Sequence, residues 1–548
     1  MITKPKLPIF EYAAFLIISV LFMLAFSLWT SPAYRNWYGC DASFFTLVGR
    51  GMLNGRIPYR DYYDLKGPYF FFIQALGQLI GKGHTGIFIL QIISLFISLI
   101  LIYSIGRLFI SGRKTIGVIV FFLLAHISML WGGNCLEEFT LPLNLLVMYM
   151  HLVIFRKLYC TQTEPDKPDE ALITNSDTSS FTIPTADNCT SPDDTPITDN
   201  SMVPDISALL AGICFTVTAF SKITAGAPII GTVIGAVLLL LIHRHFKELG
   251  FYLLYFTFGA MLALFPLLIY YGHYGAVLKM LYCTFVFGFK RSSDLSHILS
   301  PELEAKLAGV LFSIVFLLVH YPWNTLHKKA GNTMDEKAST PSETVIIDKD
   351  IVILLLPASV ITYIALHLGD SFIYYFITGM PCLLTSLILF VKIYDPLILF
   401  KNVRQSICWV LLFVFAFHYA GDSVDTVNTF INRPDSEFHK NYYNNSLNMG
   451  ALIPEFDRNS VFSFDIDMQW YEINDILPCN RYVVNLQYFI ALEPSIEDEL
   501  KEFLNETPPK WIITSNTLQD YLPVMDAIVK EKYDCLYQTD VGLVYLLR

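Results

Sequence analysis

Long apolar runs broken by short polar turns fill most of the chain. A run of about 18–22 apolar residues is long enough to cross a bilayer as a helix. Such runs fall near residues 11–30, 85–109, 115–132, 139–156, 206–220, 225–242, 250–271, 304–321, 350–367, 372–392 and 405–421. The pattern predicts about eleven transmembrane helices, with the run near 206–220 the shortest. Tyr69–Ile80 is also apolar but too short to span, and is expected to lie at the interface. The first run follows Lys4 and Lys6. It is long for a signal-peptide core and no clean small-x-small site follows, so it reads as a retained helix.

Three polar stretches interrupt this rhythm. Residues 161–204 are rich in Thr, Ser, Asp and Pro, the composition of a disordered cytoplasmic insertion. Residues 325–347 are a shorter polar loop expected on the same side. Residues 422–548 differ. Apolar or alternating runs (Ser460–Phe464, Tyr482–Leu486, Trp511–Thr514, Val541–Leu547) are interleaved with helix-like Ser495–Leu504 and Asp520–Lys532. Short strands alternating with helices predict a small α/β domain. The expected fold class is a polytopic α-helical membrane protein with a small C-terminal extracytoplasmic α/β domain. Its transmembrane body covers 1–421, including a first extracytoplasmic loop at 31–68, and its outside domain covers 422–548.

Charge sets the orientation. Arg107, Arg113, Lys114, Arg156, Lys157, Arg244, Lys247, Lys328, Lys329, Lys401 and Arg404 recur at alternate turns. The positive-inside rule puts those turns and the N-terminus in the cytoplasm, and an odd number of crossings leaves the C-terminal domain outside. Charged residues make up only 16% of the chain and hydrophobic ones 54%, as a lipid-embedded protein requires. No basic patch suggests nucleic acid. Ten cysteines without a CxxC pair indicate neither zinc nor a redox motif. Cys479 and Cys535 are the candidate disulfide pair of the outside domain.

The first outside loop breaks the orientation rule with Arg35, Arg50, Arg56, Arg60 and Lys66, so its charges are expected to serve another purpose. Asp41 stands alone shortly after the first helix, near headgroup depth. Ser43–Leu53 can form a surface helix, with Phe44, Phe45, Leu47 and Val48 toward lipid or protein. Then come Gly55, Pro58 and a cluster of Tyr59, Arg60, Asp61, Tyr62, Tyr63, Asp64 and Lys66. Ionisable residues held near a bilayer mark functional sites. The alternative is a solvated loop anchored by its aromatics, and for Asp61 and Asp64 that is the better reading.

A first helix, an Asp, an apolar stretch with Gly-Arg, a Pro-Tyr segment, Lys66-Gly67-Pro68 and an aromatic run follow one another here. This order resembles the GT-C superfamily of membrane glycosyltransferases, and most nearly the protein O-mannosyltransferases and lipid A aminoarabinose transferases. Those relatives commonly carry an Asp-Glu or Asp-x pair and end the loop in Lys-Pro-Pro. Here the pair is Asp41-Ala42, and one proline is Gly67. The resemblance implies a polyprenyl-phosphate sugar donor whose phosphate sits at headgroup level. Asp41 would be the general base toward an acceptor hydroxyl. Lys66 would grip the phosphate, with Arg60 beside it and Tyr59 lining the substrate groove. A divalent cation is compatible with the resemblance, but no ligand set is evident.

The resemblance points to further positions. Glu137 and Glu138 offer a second acid at the turn between the third and fourth helices, or else cap the helix dipole there. Adjacent on a helix, they point about 100° apart, so only one can face a site. Lys222, in Phe220-Ser-Lys-Ile-Thr-Ala-Gly, resembles a Thr-Lys-Gly turn that meets lipid phosphate. Snorkelling is the alternative. His367, ahead of Tyr374, Tyr375 and Pro381, resembles a basic-x-x-Tyr-Tyr segment that binds phosphate or sugar. The two tyrosines would line the groove. The aromatics of Tyr282–Phe289, before Lys290 and Arg291, are a prenyl-chain groove or a core stripe, the second being commoner. Asp465 and Asp467 alternate along an expected strand and so share a face that could bind a carbohydrate or a cation, or more simply is a solvated edge.

The leading expectation is an inverting transfer of a sugar from a polyprenyl-phosphate donor to an extracytoplasmic glycan, lipid or protein. The alternative is a transporter or flippase for a lipid-linked glycan. Transporters place ionisable residues within their helices, whereas here they gather in outside turns.

Overall fold

The computed structural model describes residues 9–34, 38–160, 202–291, 300–321, 348–368, 372–394, 400, 402–432 and 436–548. Most of the first polar insertion (161–201), all of the second (325–347) and Lys4, Lys6, Arg35, Lys328, Lys329 and Lys401 lie outside the described residues.

Helices dominate. In chain order they are α1 (Ile9–Phe26), α2 (Cys40–Leu53), α3 (Pro68–Ile80), α4 (Thr85–Phe109), α5 (Gly112–Met129), α6 (Leu136–Cys160), α7 (Met202–Ala219), α8 (Ala227–Ile242) and α9 (Phe246–His273). The short α10 (Val277–Leu281) continues through a π-helical turn, Tyr282–Phe287, into α11 (Gly288–Arg291). There follow α12 (Pro301–Val319), α13 (Lys349–His367), α14 (Met380–Ile393), α15 (Val403–Asn432) and α16 (Ser436–Ala451). Each of the eleven apolar runs is helical. Nine helices among the described residues are long and apolar enough to cross a membrane. The count of eleven is not reached on that measure. The apolar part of α7, Ile206–Ala219, is short, and α12 opens with Glu302, Glu304 and Lys306. The protein is a multi-pass membrane protein.

Small residues set the closest helix contacts. Gly231 and Gly235 of α8 lie against the backbone of Ala358 and Leu354 in α13, where a Cβ would clash. Gly212 of α7 and Gly259 of α9 do the same for their pair. Between helices in lipid, such close backbone approach supplies the dispersion energy that water-driven burial cannot.

The C-terminal part carries one four-stranded sheet of order β1 (Val461–Phe464), β2 (Trp511–Thr514), β4 (Leu543–Leu547), β3 (Tyr533–Gln538). β1 and β2 are parallel, with Val461 opposite Trp511, and the other pairings are antiparallel. All residues of β1 and β2 are buried, as a run of Val, Phe, Trp and Ile on a covered sheet requires. The boundary expected at 421/422 falls inside α15, which runs unbroken to Asn432. Cys479 and Cys535 are both free, so the candidate pair does not form. β1 ends at Phe464, and Asp465 takes a left-handed φ of 53°, so Asp465 and Asp467 do not alternate along a strand.

The first loop and the C-terminal domain share one side and pack together. Arg50 of α2 donates to the carbonyls of Tyr471 (3.1 Å) and Ile476 (2.8 Å) and pairs with Asp475 at 2.6 Å. The backbone N–H of Tyr63 donates to the carbonyl of Arg481 at 2.9 Å. The π-helical turn completes this interface. Phe287 meets Tyr63 and Phe489 at ring distances of 5.1 and 5.4 Å. Of the two readings of Tyr282–Phe289, the core stripe describes the buried Cys283 and Phe287.

Candidate active site

Asp41 lies in the first turn of α2, a helix with nine buried residues among its fourteen. Phe44, Phe45, Leu47 and Val48 are all buried against protein, which fixes the helix and hence the aspartate. Asp41 lines a small cavity with Lys66, Glu137, Lys222, Tyr374 and Tyr375, walled by Trp29, Phe45, Trp131, Asn134, Cys135 and Leu136. Residues far apart in sequence thus meet at one place. The cavity holds only about 10 Å³, room for about one water.

Its small size has a clear cause. Lys222 Nζ pairs with Glu137 Oε1 at 2.7 Å and sits 2.9 Å from the centre of the Tyr375 ring. Both side chains are largely shielded from solvent. The other carboxylate oxygen of Glu137, Oε2, is buried without a hydrogen-bond partner. Lys66 Nζ lies 4.9 Å from the Phe45 ring and 3.9 Å from Asp64 Oδ1.

The backbone fixes these lysines. The Gly67 N–H donates to the carbonyl of Ser221 at 2.7 Å, and a Cβ at Gly67 would strike the Phe220 carbonyl. A proline there would lack the N–H. Tyr59, fully buried, donates its hydroxyl to the carbonyl of Lys66 at 2.7 Å. Asp64 accepts from the backbone N–H groups of Leu65 and Lys66. Burial pushes the Asp64 carboxyl above its ordinary range, Lys66 pulls it back, and the charge of Asp41 adds to the rise.

The turn between α5 and α6 supplies the opposite wall. Trp131, Gly132, Gly133 and Asn134 all have positive φ, from 47° to 92°. Gly132 and Gly39 both press on Trp29, leaving no room for a Cβ. The Asn134 and Gln74 amides exchange hydrogen bonds of 2.7 and 3.2 Å, and Asn134 also donates to the Ala42 carbonyl at 3.4 Å. This amide pair links α3, the turn and the first turn of α2.

Glu137 faces the cavity and Glu138 does not. Glu138 Oε1 accepts from the Cys135 N–H and Oε2 from Gln91 Nε2, both at 2.8 Å. It therefore braces the turn from behind. Three other candidates also lie away from the cavity wall. Arg60 is committed locally, with Nε and Nη2 on both oxygens of Asp61 at 3.0 and 2.7 Å. That pairing, with the Ile57 N–H, holds Asp61 below its ordinary range despite burial. His367 Nε2 lies 3.1 Å from Glu304 Oε1, and its ring packs on Tyr363. Tyr59 works through the Lys66 backbone. No group of three or more His, Cys, Asp or Glu able to hold a metal occurs among the described residues.

Residues 2–172 match the family profile of the competence-induced protein Ccs4 N-terminal domain. No curated protein matches the chain by sequence. Among solved structures, ArnT from Cupriavidus metallidurans bound to undecaprenyl phosphate is similar at 11% identity, with a TM-score of 0.53. The match covers 98% of this chain and 97% of that one. Apo ArnT matches over the same shares at 10% identity and the same TM-score. The oligosaccharyltransferase AglB from Archaeoglobus fulgidus, with an inhibitory peptide and a dolichol-phosphate, is similar at 11% identity and a TM-score of 0.48. That match covers 98% of this chain and 74% of AglB. The chain shares the fold of ArnT across nearly its whole length.

Proposed function

We propose that the protein is a membrane glycosyltransferase that moves a sugar from a polyprenyl-phosphate donor to an extracytoplasmic acceptor. The observation that carries this reading is the meeting of Asp41, Glu137, Lys66 and Lys222 around one cavity. The fold shared with ArnT, solved with undecaprenyl phosphate, supports it.

In this reading the acceptor hydroxyl gives its proton to Asp41 as its oxygen bonds to the anomeric carbon. The bond from that carbon to the phosphate oxygen breaks, and the lipid phosphate leaves with the electron pair. Lys66 and Lys222 offset the charge it gains. One displacement inverts the anomeric carbon. Lys222 can meet a phosphate only when Glu137 yields, so donor binding exchanges a carboxylate for a phosphodiester of equal charge, and the lysine gains its more highly charged partner only as the sugar leaves. The cavity must widen as the donor binds. The N-terminus lies in the cytoplasm and the C-terminal domain outside, as the basic turns require.

The test uses purified full-length protein in lipid nanodiscs with a panel of synthetic polyprenyl-phosphate sugars and cell-envelope extract as acceptor. Label moving into an acceptor, with polyprenyl phosphate released in equal amount, is the expected result. Failure of every donor to release polyprenyl phosphate contradicts the reading.

A further inference from the structure

A second cavity, of about 270 Å³, opens between the first turn of α2 and the C-terminal domain. Its polar lining comes from Asp465, Asp467, Asn485, Gln487 and Tyr488, with Cys40 on the α2 side. It begins directly beyond the carboxyl end of β1, where Asp465 accepts a 2.8 Å hydrogen bond from Ser515, just past the end of β2. Ligands of open α/β sheets bind in crevices outside the carboxyl ends of parallel strands. Cys40 and Asp41 are consecutive on α2, and neighbouring helical residues point about 100° apart. One helical turn therefore divides the two cavities, with Cys40 on the second and Asp41 on the first.

We propose that this second cavity seats the acceptor, and that it takes a hydroxyl-rich sugar or polyol carrying no phosphate or carboxylate near the point of transfer. The proposal rests on the transferase reading of Asp41. Carboxylates only accept hydrogen bonds, so Asp465 and Asp467 suit sugar hydroxyls, while Asn485 both donates and accepts. An anionic acceptor would add its charge to those of Asp465, Asp467 and Asp41. The charge of Asp41 already reaches Asp467 across the dividing turn. Burial raises the Asp467 carboxyl to about 6, and the charge of Asp41 contributes to that rise. Burial likewise raises the Cys40 thiol, with further pushes from Asp467, Asp41 and Asp465. Asp467 thus supplies, from the C-terminal domain, a second carboxylate near Asp41, whose own sequence neighbour is Ala42. Its role is to set specificity.

The test is protection of an engineered thiol at the exposed Gln487. Full-length protein carrying Gln487→Cys and Cys535→Ser, in nanodiscs, is labelled with a maleimide. Labelling is repeated with millimolar maltotriose, N-acetylchitotriose or glucose 6-phosphate. A neutral sugar is expected to slow labelling several-fold, and glucose 6-phosphate is expected to leave it unchanged. Adding Asp467→Asn or Asn485→Ala should abolish the protection, so two independent variants cover a folding failure in one. Protection by neither neutral sugar overturns the proposal. So does protection that survives both variants, or stronger protection by the phosphorylated sugar. Binding of radiolabelled undecaprenyl phosphate to the same samples is measured in parallel. Its loss would count against the transferase reading, whereas intact lipid binding without sugar protection sinks the acceptor proposal alone.

Discussion

The backbone N–H of Gly67 donates to the carbonyl of Ser221 at 2.7 Å, and so holds Lys66 next to Lys222. Two cations from distant parts of the chain reach one cavity because a single glycine lets two backbones touch. Gly67→Pro removes the donor, and Gly67→Ala forces the two strands of chain apart. Both variants are expected to weaken undecaprenyl phosphate binding about tenfold or more, since a charge-assisted contact is worth roughly 1.5–3 kcal/mol. Equilibrium binding of the radiolabelled lipid checks this.

Glu137 and Glu138 should separate cleanly. Glu137→Gln removes the charge that competes for Lys222, so lipid-phosphate affinity should rise or hold while transfer changes. Glu138→Ala strips two hydrogen bonds from a buried turn. It should lower the apparent melting temperature by the equivalent of about 2–5 kcal/mol. Lipid binding and thermal melts of both variants test the distinction.

Stability should fall as pH rises through the weakly acidic range. Burial holds the Glu472 carboxyl up at about 7 and Asp467 at about 6. Their unfolded values lie near 4, so between roughly pH 4 and 7 the folded chain binds more protons than the unfolded one. That stabilisation is complete below the unfolded values and is lost as pH climbs through the folded ones. Arg50 pulls Glu472 down, so Arg50→Ala should move the loss to higher pH, while Glu472→Gln should flatten it. Apparent melting temperatures from pH 4 to 8 give the comparison.

Much of the membrane body was legible because its signal is local. An unbroken apolar run predicts Thr85–Phe109 to the residue, and Ser43–Leu53 was expected as a helix from its own side chains. What the sequence could not show depends on partners far along the chain. Nothing near Glu137 and Glu138 says which one meets Lys222. His367 reads as a substrate ligand until Glu304 of α12 takes it. For Arg60 the competing partner is already visible in sequence, since the neighbouring Asp61 takes it in a bidentate pair. Gly67 looked like a departure from a Lys-Pro-Pro pattern, whereas it makes a bond that proline cannot. Asp465 and Asp467 lie off the strand because β1 ends at Phe464 and the chain turns at Asp465 with a left-handed φ of 53°.

The second carboxylate beside Asp41 also escaped the sequence. A gap of several hundred residues separates Asp467 from α2, and only the docking of the C-terminal domain through Arg50 closes it. Arg50→Ala should therefore loosen that docking and speed proteolytic cleavage after α15. Limited proteolysis in nanodiscs, read by mass spectrometry, measures the change.

Asp41 is the residue on which the reading turns. Wild-type protein and Asp41→Asn, matched for membrane insertion and thermal melting, are given the donor that the wild type uses, and released polyprenyl phosphate is counted. The account predicts that the variant still binds undecaprenyl phosphate but releases it at least a hundredfold more slowly, the usual scale of losing a general base. Release at the wild-type rate would contradict it.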